Sequence, residues 1–346
     1  MDDSPLTWHA RAPTRIDFAG GWTDVPDFAE REGGVVVNAA ITRYVRVEAR
    51  RGGKGIRLNA DDLGMRVRYA TSSEISYDGR LDLHKAALNM FPITGGVEVI
   101  SNSDLPAGSG LGASGALDVA LVAAVSRLRG DWYDKEELAE LGFHLEALEL
   151  KLLGGRQDQY AAALGGFQHL SFSNDPVIAR PLAVSPEQAV DLARHVVLVY
   201  TGESHFSSDT HRRVWHSYEQ KRPAVVSALH TIKDLAPRVV EALEAADWRR
   251  LSELVNCNWE AQQSLDATIC TEGMQRVEQA ARGAGAWGVK AVGAGAGGCL
   301  VIFCSATERD AVAAATKASG ATVLDVGFDF AGVTIREEQD AGSDAG

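Results

Sequence analysis

The sequence predicts an α+β protein built from two domains. Three observations carry that prediction. The chain has 346 residues, enough for two hydrophobic cores of ordinary size. Apolar residues make up 45% and charged residues 23%, the balance of a globular chain rather than a disordered or fibrous one. Strand-like and helix-like segments are mixed along the chain, and the pattern changes near residues 175–192. That change divides an N-terminal domain over 1–180 from a C-terminal domain over 190–336.

In the N-terminal half, residues 35–48 follow a Gly33-Gly34 turn, mix β-branched with polar residues and alternate in their second half, so a strand is expected. Residues 56–69 and 96–100 read as further strands. Helices are expected over 114–128 and 134–153, the second opening on a capping box of Asp134 with Glu137. In the C-terminal half a short apolar strand is expected at 196–200, followed by helices over 209–229, 236–244, 248–265 and 272–282. A Gly/Ala-rich passage over 283–298 leads into a strand at 299–304, and the last strands are expected at 322–328 and 332–335. Residues 337–346 are small and charged and are expected to form a disordered tail.

A net charge of −13 argues against nucleic acid or an anionic membrane surface as partner. It does not exclude a phosphorylated ligand, because backbone amides, a helix dipole and a divalent cation bind phosphate inside acidic proteins. The longest apolar runs, such as 117–125, are too short to span a bilayer. The first nine residues show no basic region followed by an apolar stretch, so a cytoplasmic protein is expected. The four cysteines form neither a CxxC pair nor a zinc spacing, which predicts reduced and mostly buried thiols.

Five constellations carry chemistry. Between Ser103 and Asp118 a glycine-rich turn with Gly108, Gly110 and Gly112 runs straight into a helix at Ser114. Such a turn brings several N–H groups toward one point, where the helix adds its positive dipole end. This is a recipe for holding a polyphosphate; the alternative is a flexible Gly/Ser loop. The stretch Arg15-Ile-Asp-Phe-Ala-Gly-Gly-Trp-Thr-Asp24 places a Gly20-Gly21 turn where it would present Thr23 and Asp24 outward. Asp24 could then accept hydrogen bonds from a polyol, or simply cap a short helix before Pro26.

Glu146 falls within the apolar stripe Ala139, Phe143, Leu150 and Leu153 of the expected 134–153 helix, beside a second stripe of Leu138, Leu141, Leu145, Leu148 and Leu152. A carboxylate so placed needs a positive partner, either Mg²⁺ or an arginine. The segment 154–166 sets two Gly-Gly pairs around a short helix whose first turn carries Asp158. An acid there is favoured as the anion by the helix dipole, which suits a proton acceptor or equally a plain helix-end carboxylate. The last constellation, Lys290-Ala-Val-Gly-Ala-Gly-Ala-Gly-Gly-Cys299, is a second glycine-rich turn. It could approach a ligand or the first glycine loop closely, or mark a tight chain crossing. Neither glycine loop has the preceding buried parallel strand and later acidic residue of a dinucleotide fold.

Taken in order, these motifs resemble the GHMP kinase superfamily of galactokinase, homoserine kinase, mevalonate kinase and phosphomevalonate kinase. The 106–116 stretch looks like its Pro-x-x-x-Gly-Leu-Gly-Ser-Ser-Ala-Ala loop, with Ala113 and Gly115 departing and Ser114 kept. The stretch 15–24 together with 155–160 is most similar to two sugar-1-kinase groups, the D-glycero-D-manno-heptose 7-phosphate kinases and the L-fucokinase domain. Gly21 and Trp22 replace the Glu-His of galactokinase, which argues against galactose.

The resemblance implies a ribosomal protein S5 domain 2-like N-terminal half and a ferredoxin-like C-terminal half. It implies ATP and Mg²⁺ as cofactors and direct in-line transfer to the anomeric (C1) hydroxyl of a heptose 7-phosphate or related sugar. Pro106, Gly108, Ser109, Gly110, Leu111, Gly112, Ala113 and Ser114 would hold the nucleotide phosphates, and Ser114 with Glu146 would ligate the metal. Asp158 would be the base or orienting group, with Arg15 as its partner. Gly21, Trp22, Thr23, Asp24, Gly155, Thr201, Ser204 and Gly295 would line the sugar site, and Arg156, Arg212 and Arg213 are candidates for a substrate phosphate. The expected partner is a small-molecule sugar or sugar phosphate, with no nucleic acid, no membrane, and the chain as monomer or homodimer. A free-sugar 1-kinase of the L-fucokinase kind is the alternative. A non-catalytic sensor would be expected to lose Ser114, Glu146 or Asp158, and a mevalonate-type decarboxylase fits the Arg156-Gln-Asp-Gln159 stretch less well.

Overall fold

The computed structural model describes residues 6–93, 95–173, 176–203 and 207–338. The chain runs β1 (Thr7–Ala19), α1 (Pro26–Glu32), β2 (Val35–Arg51), β3 (Ile56–Ala60), β4 (Met65–Tyr69), α2 (Asp82–Met90), β5 (Val97–Ser103), α3 (Ala113–Arg129), α4 (Lys135–His144), α5 (Gln157–Leu164), β6 (Phe167–Ser171) and β7 (Ile178–Pro181). It continues with α6 (Pro186–Arg194), β8 (Val196–Tyr200), α7 (Ser207–Glu219), α8 (Pro223–Glu244), α9 (Trp248–Gln263), α10 (Glu272–Gly283), β9 (Gly288–Ala291), β10 (Cys299–Phe303), α11 (Arg309–Ala318), β11 (Thr322–Leu324) and β12 (Thr334–Glu338). The α+β class is the one the sequence predicts.

Two sheets organise these elements. The larger follows the order β12-β1-β2-β5-β3-β4, with β6 on the other half of β2 and β7 beyond it; the smaller is β11-β8-β10-β9. Strand β1 alternates buried and half-buried residues over its first turns and is then buried throughout, because its second half is covered on both faces. On one side of the large sheet, α3 packs an almost wholly apolar length, with Val119, Leu121, Val122 and Val125 all inaccessible. At the far half of β1, Ile16 and Phe18 join Leu198, Val301 and Phe303 of the small sheet in one core. Phe18 stacks on Phe167 with ring centroids 6.2 Å apart. This shared core sets the two glycine-rich loops against each other.

Several elements differ from the sequence reading. The expected 134–153 helix keeps its capping box but stops at His144, and residues Leu145–Glu149 form a π-helical turn. The second leucine stripe therefore fails beyond Leu145, leaving Leu148 and Leu152 exposed, and Leu153 at the end of the other stripe is exposed too. The 56–69 segment is a hairpin, β3 with β4, rather than one strand. Strand β11 ends at Leu324, and the 209–229 and 236–244 helices regroup as α7 and α8. Residues 337 and 338, expected in the tail, belong to β12, which returns from the C-terminal half to pair antiparallel with β1. Residues 339–346 lie outside the described residues. The described cysteines are free thiols; Cys299 and Cys304 are buried, whereas Cys257 is exposed. Among the described residues, no helix is long and apolar enough to cross a membrane.

Candidate active site

The first glycine loop joins β5 to α3. Gly108, Gly110 and Gly112 have φ of +74°, +76° and +75°, a left-handed backbone that glycine adopts without strain. Gly112 is the N-cap of α3 and no side chain caps it, so the first amides of the helix keep their donors for a ligand. Ser114 is exposed at this mouth, while Leu111 is sunk in the core and its carbonyl accepts from the Arg15 amide at 2.9 Å.

The second glycine loop lies directly on the first. Cys299 N donates to the Ser109 carbonyl at 2.8 Å. A Cβ on Gly298 would sit 2.6 Å from the Ser109 oxygen, and one on Gly293 would sit 2.6 Å from the Gly110 oxygen. Glycine is required here because backbone meets backbone. Gly295 packs instead against Ile269, where a Cβ would meet the Ile269 side chain at 2.7 Å. Thr201 donates its hydroxyl to the Gly298 carbonyl at 2.9 Å, so it braces the second loop. Ser204 lies outside the described residues.

Helix α5 delivers Asp158 against the start of α3. A Cβ on Gly115 would come within 2.5 Å of the Asp158 Cβ, which explains why this position departs from alanine. Arg15, almost fully buried, reaches Asp158 Oδ1 through Nε at 2.7 Å and donates Nη1 to the Gly110 carbonyl at 2.7 Å. The same strand carries Asp17, whose Oδ2 is 2.6 Å from Lys290 Nζ and whose Oδ1 accepts from the Gly293 amide at 3.0 Å. Burial alone would raise the Asp17 pKa, but Lys290, Arg15 and that amide hold it below the ordinary carboxylate value.

Thr23 and Asp24 turn inward, a correction to the outward presentation expected of the Gly20-Gly21 turn. Thr23 is inaccessible, and its hydroxyl donates to the Gly20 carbonyl at 2.8 Å and accepts from Val35 N at 3.0 Å. Its side chain is spent on closing the turn. Asp24 accepts from Gln157 N at 3.1 Å and Gln157 Nε2 at 3.3 Å, and Gly155 leaves room for it where a Cβ would overlap Asp24 Oδ2. Burial, together with nearby Asp158, pushes the Asp24 pKa up to about 6 against the Gln157 amide. A Cβ on Gly21 would meet Asp17 Oδ2 at 2.5 Å, so this glycine admits the carboxylate of β1. Trp22, at φ +80°, stacks on His211 with centroids 4.4 Å apart.

Glu146 sits on the π-helical turn, half-buried. Its partners include the Ser114 hydroxyl, which donates to Oε1, Gln159 Nε2, which donates to Oε2 at 3.0 Å, and the Asp118 carboxyl, which shares a hydrogen bond with it; among the described residues no arginine pairs with it. Burial raises the Glu146 pKa, Ser114 and Gln159 oppose the rise, and nearby Asp158 adds to it. Asp118, wholly buried, is raised well above its ordinary value by burial and by Glu146, and its Oδ1 has no hydrogen-bond partner. Among the described residues, no group of three or more His, Cys, Asp or Glu side chains has metal-binding geometry. A hydroxyl and under-compensated carboxylate oxygens nevertheless form a hard-oxygen donor set, and a divalent cation completed by phosphate oxygens fits it.

The reading of the sequence missed Asp17, Lys290, Asp118 and Gln159. Only Asp17 had a signal, since it alternates with Arg15 on one face of a strand. Of the three arginines, Arg213 is held by Asp266 at 3.3 Å and by Thr268. Arg156 lies 3.5 Å from Glu140 and 4.8 Å over the Phe143 ring, and borders a cavity of about 80 Å³ that Asp24 also lines.

Residues 81–166 match the GHMP kinases N terminal domain, and residues 239–322 match the GHMP kinases C terminal family. The chain is 29% identical over 337 residues to D-glycero-alpha-D-manno-heptose 7-phosphate kinase of Campylobacter jejuni, covering 94% of this chain and 98% of that protein. It is 30% identical over 291 residues to a mevalonate kinase of Thermococcus sibiricus, covering 80% of each. A solved D-glycero-D-manno-heptose 1-phosphate kinase from Bacteroides thetaiotaomicron superposes with a TM-score of 0.79 at 27% identity, covering 95% of this chain and 98% of that one. The chain belongs to the GHMP kinase family.

Proposed function

We propose that the chain is an ATP-dependent sugar kinase that phosphorylates the anomeric (C1) hydroxyl of a heptose 7-phosphate or a closely related sugar. The observation that carries this reading is the Arg15–Asp158 pair, set against the first turn of α3 beside the uncapped amides of the glycine loop. Phosphoryl transfer asks mainly for positioning and charge neutralisation. The amides of 108–114 and the α3 dipole cradle the phosphates, and the second glycine loop keeps that cradle rigid. Asp158 accepts the proton as the C1 oxygen attacks the γ-phosphorus and the bond to the ADP oxygen breaks. Arg15 fixes Asp158 in place and ties it to the loop through Gly110.

Ser114 and Glu146 would hold Mg²⁺, which supplies neutralisation of the phosphate charge. Asp24 and the Gly155 backbone receive the sugar hydroxyls, and Arg156 is the cation placed against the far phosphate, because it borders the cavity that Asp24 lines. Thr23, Thr201 and Gly295 support these groups from behind. A cytoplasmic enzyme, monomeric or homodimeric, is consistent with this chemistry.

The test is an ADP-release panel over free hexoses, heptoses, their 7-phosphates and mevalonate, with the product position read by ³¹P NMR. Turnover on a heptose 7-phosphate with a C1-phosphate product is expected. Turnover on mevalonate with none on any sugar would overturn the reading, and a preference for free L-fucose would move the substrate class to an unphosphorylated sugar.

A further inference from the structure

Gln159 and Asp118 stand behind the Glu146 carboxylate; both fall inside stretches read for chemistry, yet the sequence alone gives neither a role. Gln159 is inaccessible and follows Asp158 directly on α5. Its amide nitrogen donates to Glu146 Oε2 at 3.0 Å and to Asp118 Oδ2 at 3.2 Å, so both amide hydrogens are divided between two carboxyl groups. The other Glu146 oxygen takes the Ser114 hydroxyl. Asp118 lies four residues after Ser114 on α3, which places the two on one helix face. Gly142 of α4 lets the helices close around this cluster, since a Cβ there would stand 3.4 Å from both Asp118 Cβ and Gln159 Cγ.

Together these contacts pin Glu146 from two helices. We infer that Gln159 and Asp118 are positioning residues for the metal: Gln159 clamps Glu146 facing Ser114, and Asp118 anchors Gln159. The residue type matters. An arginine at 159 would reach both acids too, but it would cancel the Glu146 charge and leave a cation nothing to neutralise. A glutamine orients them and leaves the charge in place. Its neighbour Asp158 faces the acceptor side, so one turn of α5 registers the acceptor acid and the metal carboxylate together.

This inference rests on Ser114 and Glu146 holding the metal. The test titrates Mn²⁺ into the full-length protein saturated with a non-hydrolysable ATP analogue, following free Mn²⁺ by electron paramagnetic resonance. Gln159→Leu is expected to weaken Mn²⁺ by about 10–100-fold, the cost typical of lost partners behind a metal ligand, while the sugar KM stays unchanged. Asp118→Asn keeps the shape of the side chain and carries the test if Gln159→Leu does not fold; it is expected to weaken Mn²⁺ in the same direction. Mn²⁺ affinity within twofold of the parent in a folded variant of either kind overturns the inference alone. Mn²⁺ affinity untouched by Ser114→Ala overturns the metal assignment itself, and the inference with it.

Discussion

The guanidinium of Arg15 meets the Asp158 carboxylate twice, with Nε and Nη2 each 2.7 Å from Oδ1. Its third nitrogen donates to the Gly110 carbonyl, so one side chain ties Asp158 to the first glycine loop. Asp158→Asn keeps the shape of this contact while removing the proton acceptor. Turnover is expected to fall by roughly 10²–10⁴-fold with nucleotide binding and circular dichroism unchanged. Near-parental turnover in the folded variant would remove Asp158 from the chemistry.

The proposed metal role of Glu146 predicts metal dependence. Burial raises its pKa, so protonation competes with a cation. Chelation by EDTA is expected to abolish turnover and added Mg²⁺ to restore it. The Mg²⁺ concentration giving half-maximal rate should rise as pH falls, because the protonated carboxyl is no ligand. A requirement independent of pH between 5 and 8, on the order of the range enzyme assays allow, would contradict this.

Asp24 gives a pH dependence of opposite kind to a salt-bridged acid. Its folded-state pKa is raised from 3.8 to about 6, so the folded chain keeps a proton that the unfolded chain has lost. Stability therefore falls as pH rises from near 4 to above 6, by up to about 3 kcal/mol for this group. Asp24→Asn should flatten that part of the urea-unfolding profile. Sugar hydroxyls donating to the ionised form would offset the cost, so sugar affinity should rise through the same interval. An unchanged slope in the variant would show that Asp24 is not the group responsible.

Gly298 has φ +83° and no space for a side chain before the Ser109 carbonyl. Gly298→Ala must separate the two glycine loops. The KM for ATP is expected to rise by about tenfold or more, since a strained backbone position costs on the order of 1–3 kcal/mol. Sugar affinity measured without nucleotide should change less. Equal losses for both ligands would mean that the second loop does not act through the first.

Asp17 and Lys290 form a buried ion pair with side-chain exposures of 1% and 0%. Removing one charge leaves the other uncompensated, so Asp17→Asn should cost about 3–5 kcal/mol in denaturant unfolding. The double variant Asp17→Asn with Lys290→Met should lose less than the two single losses added together. Strict additivity would show that the pair is not coupled.

Much of the site is legible in the sequence because its signals are local. Three glycines before a helix, the Asp134–Glu137 capping box and an acid on the first turn of a short helix are each decided within a few residues. The π-helical turn at 145–149 is not local. The apolar period runs on toward Leu153, and the helix breaks where Glu146 meets Ser114 on another element. Strand β12 is legible only in part for a related reason. The strand expected at 332–335 runs on to Glu338 through residues charged like a tail, and what extends it is β1, at the other end of the chain.

The sequence by itself determined the α+β class, the glycine-rich loop before a helix, the likeness to GHMP kinases and the choice of Arg15, Asp24, Glu146 and Asp158 as candidate site residues. Only the tertiary structure decided their partners. Gln159 between two acids, Lys290 on Asp17, and Thr23 turned inward to close its own loop all depend on burial between segments far apart in the chain. Dihedral preference and periodicity act over one or two turns. A buried charge or amide instead takes whatever partner the fold presents, because leaving it without one costs more than most single contacts return.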